Sequence, residues 1–437
     1  MAAAVTDPAS PPKPFVLRWQ GLLQPQAPVL LRVQQLATVL LLVLLGGLPL
    51  LSRTGLALVM VASGLTWLLW SLCTPPEKIS GPSTWLLIFL GVALLSTGFS
   101  PVPIAAAKGL LKLLSYLGVY ALLLKLLRQQ PAQWDRLLAA LLSGGLFSSV
   151  LALRQLYAST AELATWADPN SISAGTIRIY GPLGNPNLLA GFLVPLLPLA
   201  AIALLRWKGV GSRLFAATTL VLATGSTLLT YSRGGWLGMV AALGVLLLLL
   251  LIRSTRHWPL LWRRVLPLAV LACGALLLVV AAVKLEPIRI RITSLLAGRG
   301  DSSNNFRINV WLAAIAMVKD NPWLGIGPGN NAFNSIYPLY QQPKFNALSA
   351  YSVPLEILVE TGIPGLIASI GLLFSSLRCG LLALKLNTPK AQAAIAALAA
   401  IAGLLVQGIT DTIFFRPEVQ LIGWFCLATL ASQSGDS

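Results

Sequence analysis

Acidic side chains are scarce in this chain: 13 Asp and Glu stand against 31 Lys and Arg, and charged residues of both signs make up only 10% of the 437. Histidine is nearly absent, the single one being His257 within a basic stretch. A zinc centre built on imidazoles is excluded, and no metal or cofactor is expected. The four cysteines, Cys73, Cys273, Cys379 and Cys426, lie in or beside apolar runs without CxxC spacing, so they imply neither a disulfide frame nor a thiolate metal site. Internal repeats, low-complexity tracts and polar stretches long enough for a soluble domain are missing too.

What is present is apolar. Hydrophobic residues make up 56% of the chain, and the mean hydropathy is +0.80. Soluble domains carry about a quarter charged residues, so the fold class is an all-α polytopic membrane protein with the bilayer as its first partner. A span needs about 20 apolar residues. Runs of that length start near residues 35, 54, 83, 109, 136, 187, 214, 234, 265, 353, 391 and 418, which predicts about 12 transmembrane helices. The stretch 214–252 divides in two because Ser232-Arg233-Gly234-Gly235 is a turn signal.

The formal charge of +18 is spread in short clusters between these runs, which excludes a nucleic-acid surface and reports topology instead. With the N-terminus in the cytoplasm, the inner segments hold the denser clusters, such as Arg206, Lys208 and Arg213, and Arg253, Arg256, Arg263 and Arg264. The expected layout is N-in/C-in in the inner (plasma) membrane: a cytoplasmic tail over 1–34, one transmembrane domain over 35–432 and a short tail over 433–437. Two outer loops stand out, 156–186 and the long 285–352. In the second, Ile308, Trp311, Leu312 and Ile315 recur at helical spacing, predicting an amphipathic helix over 307–320 on the membrane surface, capped by Asn304 or Asn305.

Three arginines, Arg178, Arg233 and Arg307, sit in outer segments rich in Gly, Asn and Pro. Guanidinium suits forked hydrogen bonding to phosphate or carboxylate; the competing reading is a side chain that reaches the headgroups or caps a helix. Arg233 is the strongest of them because the tight turn leaves it no loop in which to drift. Asn185 and Asn187 precede a helix, where backbone N–H groups favour an anion and a plain entry turn is equally consistent. Glu356 and Glu360 are four apart, hence on one helix face. Glu356 and Asp411 are candidate bases, the alternative for Asp411 being an ion pair with Arg416 or Arg233. Tyr337, Tyr340, Phe345 and Tyr351 fit either sugar stacking or an interfacial aromatic belt.

In order along the chain, Arg178 through Asn187, Ser232 through Trp236, Arg307 with Trp311, Gly325 through Asn330, and Glu360-Thr361-Gly362-Ile363-Pro364-Gly365 resemble the O-antigen ligase and polymerase superfamily of bacterial membrane proteins over residues 140–415. Asp301 through Trp311 and Ala350 through Glu356 look most like a cyanobacterial subgroup named for inorganic-carbon (bicarbonate) transport. The resemblance implies a lipid-linked glycan as partner, with Arg233 and Arg307 on the pyrophosphate of a polyprenyl carrier and Asn330 and Trp311 in support. Where the ligases carry a catalytic histidine followed by asparagine, this chain has Tyr351 and Ser352. A tyrosine is a poor base near neutral pH, so Glu356 or Asp411 substitutes or the transfer reaction has been lost. The subgroup name implies bicarbonate instead, which also wants arginines.

Overall fold

The computed structural model describes residues 28–157, 178–284, 297–385 and 389–433, together with 286, 289, 290 and 293. Most of the N-terminal tail, the middle of the 156–186 loop and the start of the 285–352 loop lie outside them. Fifteen α-helices are described: α1 (Pro28–Gly46), α2 (Arg53–Leu72), α3 (Gly81–Gly98), α4 (Pro103–Gln129), α5 (Gln133–Arg154), α6 (Pro186–Leu193), α7 (Leu196–Arg206), α8 (Val210–Leu229), α9 (Arg233–Ser254), α10 (Leu260–Lys284), α11 (Ser302–Asp320), α12 (Asn330–Ile336), α13 (Val353–Ala383), α14 (Pro389–Gly408) and α15 (Pro417–Ser432). No strand is present among the described residues.

Ten helices among the described residues are long and apolar enough to cross a bilayer, with α6 and α7 together forming one of them. This is a multi-pass helical membrane protein. The two other expected runs also form helices, α10 of 25 residues and α15 of 16. The 214–252 stretch divides where the turn signal stands: Ser232 caps α9, its hydroxyl accepting from Gly235 N at 3.2 Å. Both halves of a helical hairpin can then satisfy their backbone groups internally, as a bilayer requires.

Burial ranks the helices. The α6–α7 span is 83% buried and α14 72%, against 22% for α3. These central helices are rich in Ala and Leu, and small residues let backbones close up. At the α9–α14 crossing a Cβ on Gly238 would come within 2.8 Å of Gly403 O, so neither glycine can gain a side chain without parting the pair.

Hydrogen bonds tie successive connections alternately to two ends of the bundle. One end gathers Gln34, Gln129 and Gln130, the Glu77–Arg128 contact and Arg206 paired with Asp135. The other gathers the 99–102, 178–187, 230–233, 297–352 and 409–416 segments, which carry Arg178, Asn187, Arg233, Asp301, Arg307, Tyr351 and Asp411.

A helix break organises that second end. Gly362 interrupts α13 with φ 68 and ψ −167, a conformation nearly confined to glycine. The interruption frees two carbonyls, and the glycine-rich turn takes them: Ile326 N donates to Val359 O at 2.9 Å and Gly327 N to Glu360 O at 3.0 Å. Ser100 Oγ donates to Ile326 O at 2.6 Å, and Ser96 Oγ is shared between Leu324 O and Glu360 O. The 325–330 and 360–365 motifs are thus two halves of one joint, and irregular backbone is tolerated here because it is enclosed by protein.

The long connection carries α11, longer at its start than the apolar spacing suggested. Its cap is Asp301, whose side chain accepts from Asn304 N at 3.1 Å, and not Asn304 or Asn305. Its inward face is Val310, Ala313, Ala314 and Met317, while Leu312 and Ile315 are exposed. The bulky residues mark the outer face because small ones allow α11 to pack closely on α13. Of the aromatic cluster only Tyr337 is buried; it stacks on Phe333 and donates to Phe345 O at 2.6 Å, while Phe306 meets both Phe345 and Tyr351, which are partly exposed. Tyr337 is therefore neither an interfacial belt residue nor a sugar platform.

Candidate functional site

Three first turns meet at this end. Asn187 is the second residue of α6, Arg233 the first of α9, and Asp301 caps α11, which carries Arg307 on its second turn. Helix N-termini concentrate unpaired N–H groups and the positive end of the helix dipole. The sequence places polar residues there and apolar ones beyond.

The contacts form a connected chain. Arg178 donates through Nε to Thr230 O at 2.9 Å and through a terminal nitrogen to Asn187 Oδ1 at 2.8 Å. The Asn187 side chain also hydrogen-bonds the Asp411 carboxylate, and Gln407 Nε2 donates to Asn187 O at 3.3 Å. Asp411 in turn faces Arg307. Arg307 lies near enough to Arg233 to repel it, and Arg233 is held by Asp301 at 3.1 Å. The side chains of Arg233 and Asp301 are 9% and 0% exposed, so this ion pair is buried. One terminal nitrogen of Arg307 donates to Ser303 Oγ at 3.3 Å, while its Nε is buried with no hydrogen-bond partner among the described residues.

All three predicted anion-binding arginines therefore come together, from segments 129 residues apart in sequence at the extremes, 178 and 307. Arg416 is exposed beside them, near Tyr351. Four guanidinium groups then share the cluster with two carboxylates, Asp301 and Asp411. The alternative reading of Asp411, an ion pair with Arg416 or Arg233, is not the arrangement found: Arg233 pairs with Asp301, and Asp411 faces Arg307.

Tyr351 belongs to the same cluster. Its backbone is left-handed, with φ 49, and it is held from several sides. Trp311 Nε1 donates to its carbonyl at 3.4 Å, the Phe306 ring meets its ring edge-on at 5.5 Å, and the flanking Ser349 and Ala350 bond Thr412 and Glu356. Burial pushes the Tyr351 phenol above its ordinary range and the Asp411 carboxylate pushes it further, while Arg307 and Arg416 pull it back. A phenol held this way is a hydrogen-bond donor and not a base. Burial also raises Asp411 above the usual carboxylate range, opposed by Arg307, by the Thr412 and Ile413 amides and by Asn187. A carboxylate with a raised pKa is the better proton acceptor.

The remaining candidates separate. Glu356 is buried, accepts from Ala350 N and faces Glu360 rather than the arginines, so its carboxylate holds the Tyr351 turn in place. Asn185 caps α6, accepting from Asn187 N at 2.8 Å and Leu188 N at 3.1 Å. Trp311 supports Tyr351 from behind. Asn330 is exposed and donates to Leu348 O at 3.0 Å, on the wall of a cavity that Glu360 and Lys112 also line and the three arginines do not. No group of His, Cys, Asp and Glu suited to a metal occurs among the described residues.

Two residues of the cluster were not singled out from the sequence. Asp301 carried a usable signal, since Asp just before a helix is a preferred cap. Gln407, fully buried on α14 with its Oε1 unpartnered, carried none.

A family model described as O-antigen ligase was compared with the chain. Residues 218–370 match it. The matched O-antigen ligase segment is about a third of the chain. It includes Arg233, Asp301, Arg307, Tyr351 and the Gly362 break, and leaves Arg178, Asn187 and Asp411 outside. No curated protein matches the chain.

Proposed function

We propose that this membrane protein holds the pyrophosphate of a polyprenyl-linked glycan in the Arg178–Arg233–Arg307 cluster, at the outer face of the inner membrane, and transfers the glycan to an acceptor hydroxyl. The observation that carries the reading is the convergence of three half-buried arginines on three helix N-termini, with the Arg307 Nε left unpaired. A fully paired structural network would leave no such donor. The O-antigen ligase match over 218–370 supports a lipid-linked glycan as the substrate class, and the expected positive-inside layout supports an outer-face position.

In this reading the acceptor oxygen attacks the anomeric carbon as the bond from that carbon to the pyrophosphate oxygen breaks. The electron pair of that bond stays on the pyrophosphate, where Arg233 and Arg307 stabilise the growing charge; preorganised donors of this kind act most strongly where water is excluded. Asp411 takes the acceptor proton. Tyr351, at the position of the ligases' histidine, stays protonated and donates to a substrate oxygen. Asp301 and Asn187 are positioning residues for Arg233 and for the Arg178–Asp411 pair.

Bicarbonate transport is the competing reading, since an anion of either kind meets arginines and α13 is a broken helix. Proteoliposomes containing the whole chain test both. Glycan transfer from a polyprenyl pyrophosphate donor is expected, falling by about 100-fold or more in Arg233→Ala and in Arg307→Ala, with no bicarbonate flux. Full transfer by both variants, or bicarbonate flux that both variants abolish, refutes the assignment.

A further inference from the structure

The cavity lined by Lys112 and Asn330, of about 430 Å³, is walled by α3, α4, α13, α14 and α15, with Phe414 and Phe415 of the 409–416 turn at its edge and none of the three arginines in its lining. Its surface is apolar except for a few side chains arranged in depth. Lys112 stands on α4 among exposed Leu111 and Leu114, its Nζ donating to Phe415 O at 3.3 Å. It lies nine residues inside α4 from Pro103. Tyr116 follows one turn later, about 6 Å further along the helix. Trp424 lines the same cavity from α15, its ring 5.8 Å from that of Tyr120.

Tyr116 is 2% and Trp424 5% exposed, and neither the phenol hydroxyl nor the indole N–H has a hydrogen-bond partner among the described residues. A buried donor without a partner is costly, so two on one cavity wall point to acceptors supplied from outside the chain. Around Lys112 the charges are mixed: Arg416 and Arg53 add to it, Glu360 and Glu418 oppose it.

The depth order selects a ligand class. A cation stands near the end of the bundle, two unpaired donors lie further in, and the rest is hydrocarbon surface. A phospholipid with ester-linked acyl chains presents a phosphate, then carbonyl acceptors, then chains in that order. A polyprenyl phosphate presents a phosphate and hydrocarbon but no carbonyl.

We infer that this cavity seats an ester-linked phospholipid, its phosphate at Lys112 and its ester carbonyls at Tyr116 and Trp424. The seat is separate from the arginine cluster and does not depend on the glycan reading. Delipidated full-length protein in detergent, titrated with phosphatidylglycerol, its ether-linked analogue and polyprenyl phosphate, and followed by native mass spectrometry, tests it. The ester lipid is expected to bind about tenfold more tightly than the ether analogue. Tyr116→Phe shrinks that preference, Lys112→Gln weakens both phospholipids, and Arg233→Ala leaves phospholipid binding unchanged. Ser369→Phe and Leu405→Trp, each filling the cavity from a different helix, remove the phospholipid adduct. Equal binding of ester and ether lipids, polyprenyl phosphate binding tighter than the ester lipid that survives Arg233→Ala and is lost on filling the cavity, or a phospholipid adduct that persists in a folded cavity-filled variant overturns the inference.

Discussion

Asp301 offers the sharpest test of how the site is held, because one carboxylate does two jobs. Its Oδ1 accepts from Arg233 at 3.1 Å and from Asn304 N at 3.1 Å, so it both neutralises an arginine and caps α11. Asp301→Ala removes both. Losing the cap costs about 1 kcal/mol, and breaking a buried ion pair on one side costs about 3–5 kcal/mol because the other charge is left uncompensated. Solvent screening does little here, with the two side chains 9% and 0% exposed. Asparagine caps a helix about as well as aspartate, so Asp301→Asn isolates the charge and is expected to cost about 3 kcal/mol. The neighbouring Arg307 sharpens the effect, since its like charge on Arg233 is then no longer opposed by Asp301. Unfolding of purified protein in detergent, run as a double-mutant cycle with Arg233→Gln, measures the coupling. A value of about 2 kcal/mol or more supports the reasoning. Additivity within about 0.5 kcal/mol would mean that the contact carries no energy and that the cluster is not organised around this pair.

Asp411, raised by burial from its ordinary 3.8, binds its proton more readily folded than unfolded. Stability should therefore fall as pH rises from that ordinary value through the folded one, and Asp411→Asn should flatten the slope in melts taken across pH. If Asp411 is the base, transfer activity rises over the same interval and its pH profile disappears in the variant. Gly362→Ala places a Cβ about 2.3 Å from Trp323 O at a φ of 68; a loss of roughly 3 kcal/mol or more is expected in thermal unfolding, and a change under about 1 kcal/mol would contradict the break. Tyr351→Phe removes a protonated donor and should lower kcat in the transfer assay by about tenfold while leaving donor binding unchanged; a fall in binding alone would place the phenol elsewhere.

The spans were legible because a bilayer admits only backbones that satisfy themselves, and a 20-residue apolar run can do so only as a helix. The hairpin at Ser232-Arg233 was legible for the same reason, a cap and two glycines being the chemistry that such a turn needs. Helix α11 was legible as a helix, and Leu312 and Ile315, two of the residues whose spacing predicted a surface helix, are exposed. Its packed face, with Val310, Ala313, Ala314 and Met317, was not singled out. In a membrane protein the outside is apolar too, so hydropathy alone does not tell which face packs.

The site was legible in its parts and not in its joints. Arg178, Arg233 and Arg307 each stood out because a guanidinium near an apolar run is costly, and that cost is local information. Which acid meets which arginine is not local. Asp411 and Arg416 are close in sequence, yet Asp411 faces Arg307 and Arg233 pairs with Asp301, because three helix N-termini converge on one end of the bundle. The same holds for the two glycine motifs, which look independent along the chain until Gly362 breaks α13 and leaves carbonyls that only the 325–327 turn can reach. That joint and the arginine cluster share the 349–356 segment, where Glu356 holds Ala350 and Trp311 holds Tyr351. A shift in the broken helix therefore reaches Tyr351, and with it the phenol that the proposed site keeps protonated near Asp411.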